Sequence, residues 1–207
     1  MKVLAIGAHP DDIELMAGGT LSRFASEGHK IHCIVFSNGS WLKPDGEIGR
    51  DPQVAVAENR EIAKALKYEL NILDEKTMDI PFEDRLVSVV LREIEKNNID
   101  TLILPWEGDL HKDHQTVARI GISASRRVPR VLHGQINYYL HAFFCPNFFV
   151  DISDHYENKI NVLKKYKSVW AGKEDDWREF LHATHTYYGK MIGTKMAEGF
   201  ITNKYLY

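Results

Sequence analysis

Blocks of apolar residues alternate with amphipathic stretches along the first two thirds of the chain. Val3-Leu4-Ala5-Ile6-Gly7 is a continuous apolar run closed by glycine, the pattern of a short strand buried on both faces. Asp11 or Asp12 then caps a helix carrying Leu15, Leu21 and Phe24 and ending near Gly28. Gly18-Gly19 lowers helix propensity there, which calls for a close backbone approach to a neighbour. Lys30 to Phe36 is a second strand, followed by a long Pro/Gly/Asp-bearing loop to Asp51. Helical spacing marks Pro52 to Lys67 and Phe82 to Lys96, with a short strand at Tyr68 to Leu73 between them. Ile99 to Pro105 is the fourth strand and Asp113 to Arg126 the next helix. Beyond these, Gln135 to Leu140 and Phe148 to Ile152 read as strands, and Asn158 to Trp170 and Asp176 to Lys195 as helices. The β-α alternation predicts an α/β fold, a parallel sheet with helices on both faces. No repeat or linker interrupts it, so residues 1–207 are expected to form one domain.

Composition narrows the function classes. A net charge of −3 over 207 residues gives no electrostatic footprint for nucleic acid. No run reaches the eighteen or so apolar residues of a membrane span, and the N-terminus lacks the pattern of a signal peptide. A cytoplasmic protein is the expectation. The two cysteines, Cys33 and Cys145, sit in apolar surroundings without paired spacing and read as buried free thiols.

The chemistry is concentrated at two strand ends. Ala8-His9-Pro10-Asp11-Asp12 follows the first strand, and Leu110-His111-Lys112-Asp113-His114 lies just past the fourth. Ligands of open α/β sheets bind at the carboxyl ends of the strands, where two such clusters can meet. Together they supply imidazole nitrogen and carboxylate oxygen, the donors that zinc takes. His9, Asp12 and His114 can make a three-ligand set. Asp11 beside them is a candidate general base for the attacking water. His111 can face the same water or the oxyanion formed when it adds to a carbonyl. Asp113 can orient either His111 or a ligand imidazole. The donor set suits Zn2+, and also Fe2+ or Co2+.

The residues that carry this chemistry also carry a resemblance. AHPDDIELMAGGTL at Ala8 to Leu21 resembles the first motif of the PIG-L/LmbE family of zinc-dependent N-deacetylases, and DLHKDHQTV at Asp109 to Val117 resembles its second. The likeness continues through Arg60-Glu61, Pro146 to Ile152, Lys159, Tyr166-Lys167-Ser168, Gly189 and Ala197 to Phe200. It implies a Rossmann-like, LmbE-like fold that removes acetyl from an N-acetylglucosamine-type sugar, on a small glycoside, a nucleotide sugar or a lipid-linked sugar. His9, Asp12 and His114 match the family's metal ligands, Asp11 its base, His111 its oxyanion-stabilising or acid histidine, and Asp113 the aspartate beside it. The chain departs from the commonest pattern at Ile13, at Lys112 and at Val169 after Ser168. Arg50, Arg60 and His141 are the candidates for substrate contact. The arginines 126, 127 and 130 also lie past the second cluster.

Weaker features remain. The aromatic run from Tyr138 to Phe144 reads as core or subunit interface before sugar wall, and leaves a homo-oligomer open. His182 and His185, one turn apart, make a metal pair only with a third ligand. Two rival functions use the same crevice: an amidase on a larger sugar conjugate, and a non-catalytic sugar- or nucleotide-binding protein. The pairing of a base with an acid histidine argues against the second.

Overall fold

The structure is a computed structural model and describes residues 1–140, 142–170 and 174–206. In chain order the elements are β1 (Lys2–Gly7), α1 (Asp12–Ser26), β2 (Lys30–Ser37), β3 (Trp41–Leu42), β4 (Ile48–Arg50), α2 (Pro52–Leu66), β5 (Glu69–Glu75), α3 (Asp84–Asn97), β6 (Thr101–Pro105), α4 (Lys112–Ala124), β7 (Arg130–Gly134), β8 (Phe148–Asp151), α5 (Tyr156–Leu163), α6 (Lys167–Trp170), α7 (Glu174–Ile192) and β9 (Ala197–Tyr205). Seven strands form one sheet in the order β5-β2-β1-β6-β7-β9-β8, and β3 and β4 pair separately as a hairpin. The first five strands of that order run parallel, while β9 runs antiparallel to both of its neighbours.

Strand alternation sorts β1 between two cores. Val3 and Ala5 face a layer with residues of α1, α2, α5 and α7, whereas Leu4 and Ile6 face a layer with α3 and α4. The chain winds outward from β1 through β2 to β5, then returns to β6 and winds the other way to β7. The reversal between β1 and β6 opens the crevice of such folds. The loops leaving β1 and β6 are those bearing the two His/Asp clusters.

The glycine pair in α1 meets the close approach expected of it. A Cβ on Gly19 would come within 2.7 Å of the Ile152 side chain, and one on Gly18 within 3.2 Å of Lys159. The helix breaks just before them, at Ala17 (φ −145°). The backbone N–H groups of Gly19 and Thr20 then donate to the Glu198 carboxylate at 3.0 and 2.7 Å. Glu198 thus caps the resumed helix from another strand, satisfying donors that the break would orphan.

Four expectations need correction. The strand read at Gln135 to Leu140 lies earlier, at Arg130–Gly134. Arg130 and His133 interrupt its apolar pattern, and of the later stretch only Leu140 bridges, to Asp109. Strand β9 escaped notice because Thr202, Asn203 and Lys204 fill its second half with polar residues. The helix read from Asn158 to Trp170 is two, α5 and α6, separated by the turn that buries Tyr166. Of the two cysteines, Cys33 is buried as expected but Cys145 is exposed. No described helix is long and apolar enough to cross a membrane.

Candidate metal and catalytic site

A cavity of about 400 Å³ opens at the carboxyl edge of the sheet. Each of the five parallel strands contributes to its lining through the loop that follows it. His9, Asp11 and Asp12 come after β1, Gly39 and Trp41 after β2, Thr77 and Met78 after β5, His111 and His114 after β6, and Asn137 and Tyr139 after β7.

At the floor, donor atoms of three residues converge. His9 Nδ1 lies 3.3 Å from His114 Nε2, which lies 3.3 Å from Asp12 Oδ1, and His9 Nδ1 is 3.5 Å from Asp12 Oδ2. A tetrahedron with metal–ligand bonds of about 2.0–2.1 Å has edges of about 3.3–3.4 Å, the spacing at which His114 Nε2 stands from both His9 Nδ1 and Asp12 Oδ1. His9, His111 and His114 also present ring nitrogens within 4.8 Å of one another, a looser set. Asp12 is held by its other oxygen, which accepts the backbone N–H groups of Ala8 and His9 at 2.8 and 2.9 Å.

The far nitrogen of each near-buried ring meets a carboxylate. His9 Nε2 lies 3.0 Å from Asp113 Oδ2, and His114 Nδ1 lies 2.9 Å from Asp109 Oδ2. Those carboxylates accept, so the far nitrogens carry protons and the near ones offer lone pairs toward a common point. Burial works against charge on His114, but the Asp12 and Asp109 carboxylates outweigh it and take its pKa up to about 10. Burial likewise opposes a charge on His9, whose pKa is raised by Asp12 and Asp113. Asp12 is also buried, yet His114 and His9 hold its carboxyl well below the usual range. This donor set fits a divalent metal, which would take the place of the shared protons.

Asp11 stands beside the donors in a left-handed backbone conformation, φ 116°, uncommon for a residue with a side chain. Strain of this kind persists only where the surroundings enforce it. Here Leu15 N–H donates to the Asp11 carbonyl at 2.9 Å and Arg50 Nη1 to the Pro10 carbonyl at 3.2 Å. Burial pushes the Asp11 pKa up; Arg50 pulls it back and Asp12 adds to the rise, leaving it at about 7. Behind it Glu14, without exposure, accepts from the hydroxyls of Tyr68 and Tyr166.

His111 caps α4: its Nδ1 accepts from the Asp113 backbone N–H at 3.2 Å. That bond places the ring proton on Nε2. Burial and the neighbouring His114 and His9 lower its pKa to about 4, so at neutral pH the ring is an uncharged N–H donor.

Other residues singled out in the sequence fall differently. Asp113, grouped with the catalytic residues from sequence, is fully buried behind His9, is bonded also to the Met78 N–H at 2.6 Å, and does not line the cavity. Of the two imidazoles expected to meet it, its carboxylate meets that of His9. Arg50 lines the cavity, but Arg60 is exposed on the outer face of α2 and away from the lining. His141 lies outside the described residues. His182 is exposed while His185 is buried against Lys159, so they do not converge as a metal pair. Tyr139, expected in core or interface, lines the cavity.

Sequence reasoning assigned no role to Asp109 or Asn137. Asp109 also accepts the His111 backbone N–H at 2.7 Å, and Asn137 Nδ2 donates to it at 3.0 and 3.1 Å. The acid standing five residues before His114 within the same motif was a usable signal; nothing local marks Asn137.

A family model described as PIG-L, GlcNAc-PI de-N-acetylase, matches residues 4–125. A diacetylchitobiose deacetylase of Thermococcus kodakarensis is 28% identical over 96% of this chain and 81% of its own. An Escherichia coli K12 protein, YaiS, described as an uncharacterized deacetylase, is 32% identical over 80% of this chain and 90% of its own. The structure of the N,N'-diacetylchitobiose deacetylase from Pyrococcus horikoshii superposes with a TM-score of 0.81 at 21% identity, covering 98% of this chain and 84% of that one. The seven-stranded, mostly parallel sheet and both His/Asp motifs are those of the PIG-L/LmbE family, to which this chain belongs.

Proposed function

We propose that this chain is a metal-dependent hydrolase that removes the acetyl group from an N-acetylglucosamine-type sugar, releasing acetate and a free amine. The observation that carries the proposal is the convergence of His9, Asp12 and His114 on one point of the floor, with Asp11 and the His111 N–H donor in the same cavity. His9, Asp12 and His114 would hold the metal, Zn2+ first among Zn2+, Fe2+ and Co2+. When bound, the metal supplies a water of lowered pKa and polarises the amide carbonyl.

The chain's own groups do the rest. Asp11 takes the proton from the attacking water and hands it to the departing amine, a task suited to a carboxyl with a pKa near the working pH. His111 donates its Nε2–H to the oxyanion that forms as water adds to the carbonyl. Asp113 and Asp109 fix the two ligand imidazoles in their tautomers. Arg50 is 4% exposed and its Nη2, buried in the cavity lining, has no hydrogen-bond partner. We assign that donor to a substrate oxygen. An exposed Arg60 has no such reach.

The test measures metal and chemistry separately. Elemental analysis should find about one metal per wild-type chain and little in Asp12→Ala. Metal-loaded wild type should release amine from N-acetylglucosamine or N,N'-diacetylchitobiose, the latter suggested by the relative's name. A folded protein that stays metal-free when zinc is offered would sink the proposal.

A further inference from the structure

The lining of the active-site cavity divides into a polar floor and an apolar outer wall. The floor holds the histidines and aspartates already described. The wall is made by Trp41, Leu42, Met78, Tyr139, Val169 and Trp177. These six come from four separate segments: the β3–β4 hairpin, the loops after β5 and β7, and the α6–α7 region. Sidedness of this kind is what a ligand with a polar reacting end and a less polar remainder needs.

Two features show the wall to be built in advance. Trp41 remains 45% exposed, yet its indole lies against Gly49 on the paired strand, where a Cβ would come within 2.3 Å of the ring. The glycine thus gives the ring a flat seat and holds one face of it. Trp177 is fixed by Trp170, its ring centroid 6.1 Å away, and by Tyr138 at 5.4 Å. An indole held in place at a cavity mouth with one face open offers a ring-bearing ligand a preformed surface.

The wall also selects by charge. Among the described residues the one lysine or arginine lining the cavity is Arg50. Its Nε donates to Ser168 Oγ at 2.9 Å, its Nη1 to the Pro10 carbonyl, and its Nη2 lies 3.5 Å from the Glu58 carboxylate. One guanidinium, with Nε and Nη1 bonded and its charge facing the Glu58 carboxylate, leaves a single donor free for a substrate oxygen, and the wall side chains carry no charge to meet a diphosphate.

We infer that the outer wall is a stacking subsite for an uncharged ring attached to the N-acetylated sugar. The ring is either a second neutral sugar, laid through its apolar face on the indoles, or an aryl aglycone. A nucleotide sugar or other phosphate-linked conjugate is disfavoured. This rests on the deacetylase reading only for the identity of the reacting end.

The experiment compares four compounds: N-acetylglucosamine, N,N'-diacetylchitobiose, phenyl N-acetyl-β-glucosaminide and UDP-N-acetylglucosamine. Calorimetric binding to metal-free protein is measured beside amine release by metal-loaded protein. Stacking on one aromatic ring is worth about a factor of ten, so the disaccharide or the phenyl glycoside should bind about tenfold tighter than the monosaccharide. Whichever binds tighter identifies the kind of ring. Trp41→Ala should erase most of that advantage, and Gly49→Ala, which keeps the indole but unseats it, should erase part. The subsite is refuted by equal binding of all four, by an advantage that survives Trp41→Ala, or by tightest, salt-sensitive binding of the nucleotide sugar. Ring-selective binding with no amine from any compound would keep the subsite and overturn the deacetylase reading. Amine release without ring preference would do the reverse.

Discussion

Two buried clusters of charge lie either side of α1, and they solve the same problem in different ways. Beneath the helix, the Lys159 ammonium sits among three acceptors: the Leu15 carbonyl at 2.7 Å, His185 Nε2 at 2.8 Å and Glu198 Oε1 at 2.6 Å. At the carboxyl edge of the sheet, His9, Asp12 and His114 turn two ring nitrogens and a carboxylate oxygen toward one another, with no lysine or arginine among them. A buried charge must be paired. The first cluster carries its cation covalently, with three acceptors around the ammonium. The second consists of donors alone and, on our reading, takes its cation from solution. Histidine-rich burial by itself therefore does not mark a metal site. The discriminating feature is whether the chain supplies the cation.

The largest effect that sharpens the contrast is on catalysis. Asp11→Asn should keep about one metal per chain, because Asp11 is not among the three converging donors. Turnover should fall by roughly 10²–10⁴, the usual contribution of a general acid–base group. Steady-state kinetics beside elemental analysis reads both, and wild-type turnover in the variant would remove Asp11 as the base.

Next is stability. Lys159→Met leaves Glu198 and its two bound backbone donors in a fully buried site without their counter-charge. Breaking a buried pair costs about 3–5 kcal/mol, or roughly 6–20 °C in Tm for a chain of this size. Metal stoichiometry of the folded fraction should not change. Loss of metal from a folded Lys159→Met protein would show the two clusters to be one unit.

Smaller again is the effect on metal affinity of a partner that touches only a ligand ring. Asp109→Asn removes the charge behind His114 and should weaken metal binding about 10–100-fold. Competition with a chelator measures it. An affinity equal to wild type would reduce Asp109 to a cap for the His111 N–H.

How much of this was legible in the sequence follows from what each residue's role depends on. The parallel half of the sheet was, because β1, β2 and β6 are buried on both faces and need near-continuous apolar runs. Strands β7 and β9 were not: their pairing is fixed by neighbours, and Arg130, His133 and Lys204 break the local pattern. The floor of the site was readable because its donors cluster in two short motifs at strand ends. Asn137, Trp41 and Trp177 reach the cavity from loops and helices whose placement only tertiary packing decides. Lys159 and Glu198 were visible merely as points of family likeness, since a lysine meets a glutamate 39 residues away only through the fold.

The last predicted effect tests the comparison most directly, because His114 and His185 give pH dependences of opposite sign. His114 holds its proton up to about pH 10 in the metal-free fold, against about 6.5 in an unfolded chain. Its contribution is therefore fully present below about pH 6.5 and is lost as pH rises toward 10. His185 is the reverse case. Burial and the adjacent Lys159 hold its pKa well below the ordinary value. The unfolded chain takes up a proton that the fold refuses, so stability falls as pH drops below about 6.5. Melting curves from pH 5 to 9 should thus show Tm of chelated protein falling on the alkaline side. Metal-loaded protein should lack that fall, since the metal displaces the His114 proton. The acid-side fall should be common to both, and His185→Gln should reduce it in both, leaving the share that the depressed pKa of His111 contributes. An alkaline fall identical with and without metal would mean that the His114 proton and the metal do not compete, and the donor cluster would then be a second self-contained charge network like the one beneath α1.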